Sequence, residues 1–436
     1  MTIPLQFPFR RYWHYLERYR DLVKLRIALV VLLTVVVAIG GVLVIREDAA
    51  KPQGFTALIA SAKVSSARVS PTSVSFDSTT NGWVLGTESC GTKNCLALVE
   101  TSNRGRTWAT KSLPAPLLAD ADRNLAGTAA AIYGDASLNV RFANENDGWI
   151  YGTLPGKVPS DGVAFVQYGP ILWSTHDGGR TWRRVHLDWM PRDPSVFDLE
   201  AGHGMVYAET MNRSYLVTLS SSPVGEDHWR VVPTQKLWLP AGGALPGGSI
   251  VLSGSHGWLV AGNDRGVSAS LRLTSSGKWA TWTPPCESVG NSYAVPAASS
   301  PLDLVVLCQM GGFAYSLSPS SPPGATLGSN WLYFSANGGL TFRSGAELEP
   351  RNFYFDGVLA SPAPGVLVMS RGPGGVDNLM ASFNSGRTWS IVYRGEPTFL
   401  SFTSPTQGVA LIEHRVGDDS MIMTFDGGRT WRLVTL

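Results

Sequence analysis

The sequence predicts an all-β chain of seven like units, each a small antiparallel sheet, and two recurring motifs predict it. The first is an octet, S/T-x-D/N-x-G-x-T-W/F, standing at Thr101–Trp108, Thr175–Trp182, Ser335–Phe342, Ser382–Trp389 and Thr424–Trp431. The second is a strand-like Gly-Trp element upstream of octets, at Asn81–Gly86, Asp147–Gly152 and His256–Gly262. A motif that returns at intervals of roughly 40 to 75 residues marks a repeat architecture, in which units bury their apolar faces against one another.

Each octet position has a physical reason. The Asp or Asn at the third position (Asn103, Asp177, Asn337, Asn384 and Asp426) accepts hydrogen bonds from backbone amides just beyond it and closes an Asx-type turn. Glycine at the fifth position supplies a positive φ. The hydroxyls at the first and seventh positions bond across the turn, and the aromatic anchors it in apolar packing. These residues are therefore structural. Two further octets are degenerate: Ser222–Trp229 keeps the first and last positions, and Ser275–Trp282 keeps the hydroxyl, the Thr and the Trp. With them, seven units end at Trp108, Trp182, Trp229, Trp282, Phe342, Trp389 and Trp431.

Octets and Gly-Trp strands together resemble the Asp-box, or BNR, repeat of β-propellers found in sialidases, sortilin-type receptors, some glucanases and photosystem II assembly factors. The pairing of a Gly-Trp strand with a following box is most similar to the assembly-factor type. The resemblance covers residues 72–436 and implies a seven-bladed β-propeller whose strands a to d run from the axis outward, with Asp-box hairpins at the c–d turns. It implies scaffolding or assembly only in general terms, because one fold hosts many functions.

Composition agrees with a turn-rich, extracytoplasmic β domain: 16% of residues are charged, with 47 glycines and 15 tryptophans. A net charge of +2 and the lack of a basic stripe argue against nucleic acid. Ile27–Ile45 is uninterrupted and apolar, the length of one transmembrane helix. Arg10, Arg11, Arg18, Arg20, Lys24 and Arg26 precede it against Glu17 and Asp21, which puts the N-terminus in the cytoplasm. The organisation expected is a basic, aromatic cytoplasmic tail (1–26), a signal anchor (27–45), a linker (46–71) and an extracytoplasmic propeller (72–436) at the cell membrane. A cleaved signal peptide is the competing reading, with an unusually long charged region and apolar core. Four cysteines fit an oxidising compartment, and Cys90–Cys95 and Cys286–Cys308 are the disulfides expected. Zinc is the alternative, but no histidine accompanies either pair, so neither metal nor cofactor is expected.

All boxes fall on one face of such a ring, and the b–c and d–a connections fall on the other. The long connections, 111–138, 153–170, 311–330 and 371–377, are of the second kind, which makes the face opposite the boxes the expected working face. They supply Asp161, Arg371 and Asp377 as candidate binding residues. Val140–Phe142 and Phe197–Leu199 stand in equivalent inner strands of adjacent blades, so Arg141 and Asp198 are expected to meet near the axis, as an interblade ion pair or as charges facing a ligand.

Catalysis finds little support. Ala67–Pro71 stands where a sialidase carries its F/Y-R-I-P motif and lacks it. Glu88, Asp161, Glu287, Asp377 and Glu396 lie in loops of the expected face without a spacing that selects two of them as a hydrolytic pair. There is no phosphate-binding glycine loop, HExxH or G-x-S-x-G elbow. The expected function is a membrane-anchored, non-enzymatic binding or assembly scaffold for a protein, peptide or glycan. A cell-surface glycoside hydrolase of sialidase-like or glucanase-like type is the alternative.

Overall fold

The computed structural model describes residues 69–91, 93–119, 138–154, 169–187, 195–211, 216–234, 237–239, 247–263, 266–286, 292–310, 330–348, 358–371, 378–413 and 419–436. The apolar run at 27–45 and the candidates Asp161 and Asp377 lie outside them. Among the described residues no helix is long and apolar enough to cross a membrane.

The chain folds as seven antiparallel sheets taken strictly in sequence order, the blades of a seven-bladed β-propeller. They span Ser70–Lys111, Leu138–Arg184, Ser195–Trp238, Gly247–Thr281, Ser292–Leu348, Leu359–Arg394 and Glu396–Val434. The first begins two residues before the boundary expected at 72. Blade 3 carries an extra strand, Leu237–Trp238, paired with its third. Seven clusters of buried apolar side chains fill the seven interfaces between neighbouring blades. Blades 7 and 1 meet through Val74, Val84, Leu411, Met421 and Met423, and Ser70 Oγ accepts the Asp419 amide at 3.1 Å. Both blades own all four of their strands, so side-chain packing closes the ring.

The octets behave as their chemistry requires. In blade 2, Asp177 accepts from the amides of Arg180 (3.0 Å) and Thr181 (2.8 Å) and from the Thr181 hydroxyl (2.6 Å), while Thr175 Oγ1 accepts the Gly179 amide at 2.9 Å. The bonds thus come from three and four residues on, a wider loop than a simple Asx turn. The fifth-position glycines 105, 179, 339, 386 and 428 have φ between 76° and 88°. Every octet aromatic packs into the interface with the preceding blade.

The fourth unit is a correction. Its turn begins at Thr274, whose Oγ1 meets Ser276 Oγ at 2.9 Å and donates to the Lys278 carbonyl at 3.0 Å. Thr274 to Trp279 is six residues, against eight from Thr424 to Trp431. The aromatic facing the preceding blade is therefore Trp279, while Trp282 turns toward blade 5 and donates to the Gly339 carbonyl at 2.8 Å. The extra Thr-Trp at 281–282 mimics an octet ending without being one.

The Gly-Trp motif is the second strand of blades 1, 2 and 4, and Trp83, Trp149 and Trp258 are fully buried. The glycine that opens the second strand admits a ring in blades 1, 2 and 7: a Cβ at Gly82, Gly148 or Gly408 would lie 2.5–2.6 Å from Phe76, Phe142 or Phe402, which closes the inner strand of the same blade.

Both expected disulfides form. Cys286 follows the outer strand of blade 4 and Cys308 lies in the second strand of blade 5, both 1% exposed or less, whereas Cys90 is exposed on a hairpin. Mild reductant is expected to open Cys90–Cys95 first with the ring intact. The interblade bridge closes a loop of sequence separation 22, and its removal by paired Cys→Ala changes is expected to lower unfolding free energy by about 3 kcal/mol. Urea unfolding of the full-length chain checks this, and an equal loss from removing either bridge would contradict it.

Candidate functional site

The inner strands of the blades surround an axial cavity of about 640 Å³. Its lining runs from Tyr293, near the start of one inner strand, to Ser299 just past the end of that strand, with Ser253 and Pro405 at or past the corresponding ends in blades 4 and 7. Over blades 4 to 7 its wall is mostly serine, alanine, proline and apolar side chains. Its ionisable groups gather on one side, at Arg141, Asp198, Glu200 and Tyr293.

Strand alternation places them. In Leu138–Phe142, residues 138, 140 and 142 are buried between blades 1 and 2, which turns Arg141 to the opposite side. There it makes a charge-assisted hydrogen bond and ion pair with Glu200 of blade 3. Their side chains keep 25% and 19% of their exposure, so the pair is within reach of a group in the cavity. Asp198 is committed elsewhere. It accepts the Leu199 amide at 2.8 Å, the Ile250 amide of blade 4 at 2.6 Å, and the Tyr151 hydroxyl of blade 2 at 3.4 Å. The carboxylate thus joins three blades.

Arg141 and Asp198 both line the cavity, and Arg141 takes Glu200 as its partner. Glu200 stands two residues beyond Asp198 on the same face of the strand and is the carboxylate that meets the guanidinium, while Asp198 is held by the Leu199 and Ile250 amides. Arg371 ends the second strand of blade 6 opposite Asn378.

Sequence reasoning missed Glu200, Tyr151, Glu209 and Tyr293. One signal was legible: Met205–Met211 is an otherwise apolar strand interrupted by Glu209. That residue is 1% exposed, and its Oε2 has no hydrogen-bond partner. The site's electrostatics are those of buried acids. Burial pushes Glu200 up to about 7, with Arg141 opposing and Asp198 adding repulsion. Burial also raises Asp198, against the pull of the Ile250 and Leu199 amides, and lifts Glu209 well above the carboxylate range, with Asp198 reinforcing. Tyr151 and Tyr293 are raised by burial and then by the neighbouring carboxyls.

No family model matches this chain, and no curated protein does. Solved structures do match. A PL25 ulvan lyase is 12% identical, with a TM-score of 0.51 over 85% of this chain and 96% of the lyase. A puromycin-hydrolysing peptidase from Mycobacterium tuberculosis is 15% identical, with a TM-score of 0.51 over 85% of this chain and 52% of the peptidase. YCF48 bound to a D1 peptide is 18% identical, with a TM-score of 0.47 over 83% of this chain and 94% of that protein. At such identities the likeness is one of fold alone.

Proposed function

We propose that this chain is a membrane-anchored binding or assembly module of the Asp-box propeller type, not an enzyme, and that its partner, a protein, peptide or glycan, engages the axial cavity. The observation that carries this reading is how the cavity's carboxylates are engaged. Arg141 holds Glu200, and two backbone amides and a tyrosine hold Asp198, so neither stands free for acid–base work. What remains is a partly exposed ion pair on one wall of a cavity that is otherwise small and apolar, a polar handle for a ligand. The five octets support the family likeness. The apolar run Ile27–Ile45 and its basic upstream flank support the anchor, a cytoplasmic N-terminus and an extracytoplasmic ring. The strand ends at 111 and 138, 154 and 169, 310 and 330, and 371 and 378 all lie on the side of the sheets away from the octets, which supports that face as the working one.

A glycoside hydrolase is the second reading, favoured by one observation. Glu200 at about 7 has the affinity of a proton donor, and Asp198, two residues away on one strand, stands roughly 7 Å from it by strand rise. That is inside the range for paired catalytic carboxyls. Crosslinking in intact cells followed by affinity capture of the full-length chain separates the two readings. The expected result is a reproducible partner whose capture falls about tenfold on Arg141→Met, the loss of one charge-assisted contact. Turnover of any glycoside that vanishes on Glu200→Gln would replace the binding reading with the hydrolase.

A further inference from the structure

We infer that the axial cavity receives a cation: a primary ammonium or guanidinium group that the ligand seats on Asp198 and Tyr293 of the wall, in front of the buried Glu209. This rests on the binding reading above and names the chemistry it selects. Asp198, Glu200 and Glu209 lie on one face of blade 3, since Asp198 and Glu200 are two apart on one strand and Glu209 is directly opposite Asp198. Arg141 is the one cation among the described cavity residues, and it is taken by Glu200.

Glu209 is the unanswered member. A carboxyl buried for structural reasons alone collects donors, and its neighbours follow that rule: Asp198 accepts from three groups, and the Thr210 hydroxyl donates to the Thr218 carbonyl at 3.1 Å. Glu209, 1% exposed, leaves Oε2 unpaired. Room is made for it deliberately in blade 4. A Cβ at Gly248 would stand 1.9 Å from Glu209 Oε1 and 2.0 Å from Oε2, so the carboxyl fills the space a side chain would occupy, beside Ser249 and Ile250 of the cavity wall.

Its titratable surroundings are Asp198 on the paired strand, Tyr207 two residues earlier, and Tyr293 on blade 5. None is a cation, and burial lifts both tyrosines, which holds them neutral. With no cation beside it, burial favours the protonated form of Glu209. A ligand cation displaces that proton to solvent and takes its place, with Asp198 adding a second negative charge. Asp198 already accepts two amides, so the pair does not offer the converging oxygens that a divalent metal demands. A monovalent organic cation, with directional N–H donors for one free carboxylate and a phenol, fits the group.

The test uses the full-length chain and a peptide array in which Lys, Arg, Glu and neutral positions vary, with spermidine as a free polyamine. Calorimetry of the hits follows in buffers of different ionisation enthalpy. Bound peptides are expected to share a Lys or Arg, to weaken about tenfold when it becomes norleucine or citrulline, and to bind more tightly at mildly alkaline than at mildly acidic pH. Wild type should release about one proton per ligand; Glu209→Gln, shown to be folded by its circular dichroism spectrum and a cooperative thermal transition, should release none and lose the preference. Should Glu209→Gln not fold, proton release by wild type decides alone. Binding of spermidine with the same Glu209 dependence assigns the source to free amines instead of peptides. Ligands bound without any preference for a cation would overturn this inference and leave the binding module standing. Failure of peptides and spermidine alike, with no partner captured in cells, would remove both.

Discussion

Replacing Trp258 by alanine is expected to lower the unfolding free energy by about 3–5 kcal/mol, as for a buried aromatic truncated in a close-packed core. Trp258 is 0% exposed and packs with Val260, Trp282, Leu304 and Val306 between blades 4 and 5. Its indole Nε1 donates to the Gly338 carbonyl at 3.2 Å, in the octet of blade 5. The residue therefore joins a Gly-Trp strand to the octet of the next blade, and a cavity there opens a joint of the ring. Trp258→Phe keeps most of the volume and gives up the hydrogen bond, which Arg272 partly replaces by its own donation to the same carbonyl at 3.2 Å. It is expected to cost only about 1 kcal/mol. Urea unfolding of the full-length chain distinguishes the two, and equal losses from Ala and Phe would show that packing at this joint is not what matters.

The fold was legible because its signals are local. An octet states a turn through residues within eight positions of one another, and Asp177 bonding Thr181 is the same chemistry wherever it recurs. A Gly-Trp strand likewise declares its own buried face. The fourth unit was misaligned because its local signal had decayed: a turn shortened by two residues left Trp279 and Trp282 to compete for one role, and only the packing partners separate them. The candidate site was half legible for a different reason. Arg141 and Asp198 could be placed at the axis by equivalence between blades, but their partners, Glu200 for Arg141 and the Ile250 amide for Asp198, come from neighbouring blades whose approach no local pattern reports. Glu209 stood out in a strand of apolar residues, yet its place depends on the absence of a side chain at Gly248, 39 positions away and in another blade. Sequence thus reports each blade well and reports what blades do to each other poorly.

That interblade chemistry also sets the pH at which the ring is most stable, and the maximum is expected at mildly acidic pH. Burial pushes Glu200 from 4.5 to about 7, and it raises Asp198 and Glu209 as well. The folded state then holds protons that the unfolded chain has released, so stability falls as pH rises from the ordinary carboxylate range through about 7. For Glu200 alone the loss is on the order of 3 kcal/mol, since each unit of displacement is about 1.4 kcal/mol. The octet aspartates act in the opposite sense. The Thr181 hydroxyl and amide carry Asp177 from 3.8 down to about 2. At Asp426 burial pushes upward, but Thr430's hydroxyl and amide carry it down to about 2. Their stabilisation is present above the unfolded value of 3.8 and is lost as pH falls through about 2. Urea midpoints measured across pH should therefore rise from strong acid, peak near the ordinary carboxylate range and decline toward neutrality. Glu209→Gln should make the declining limb shallower, with Glu200 keeping its share, and leave the acid limb unchanged. Asp426→Asn, which installs the residue that Asn103, Asn337 and Asn384 already provide at this position, should weaken the acid limb, with Asp177 keeping its share, and leave the declining limb unchanged. A midpoint that climbs steadily from mild acid to neutrality would mean that the axial carboxyls are ionised in the folded ring, and with that the displaced proton on which cation binding depends would be gone.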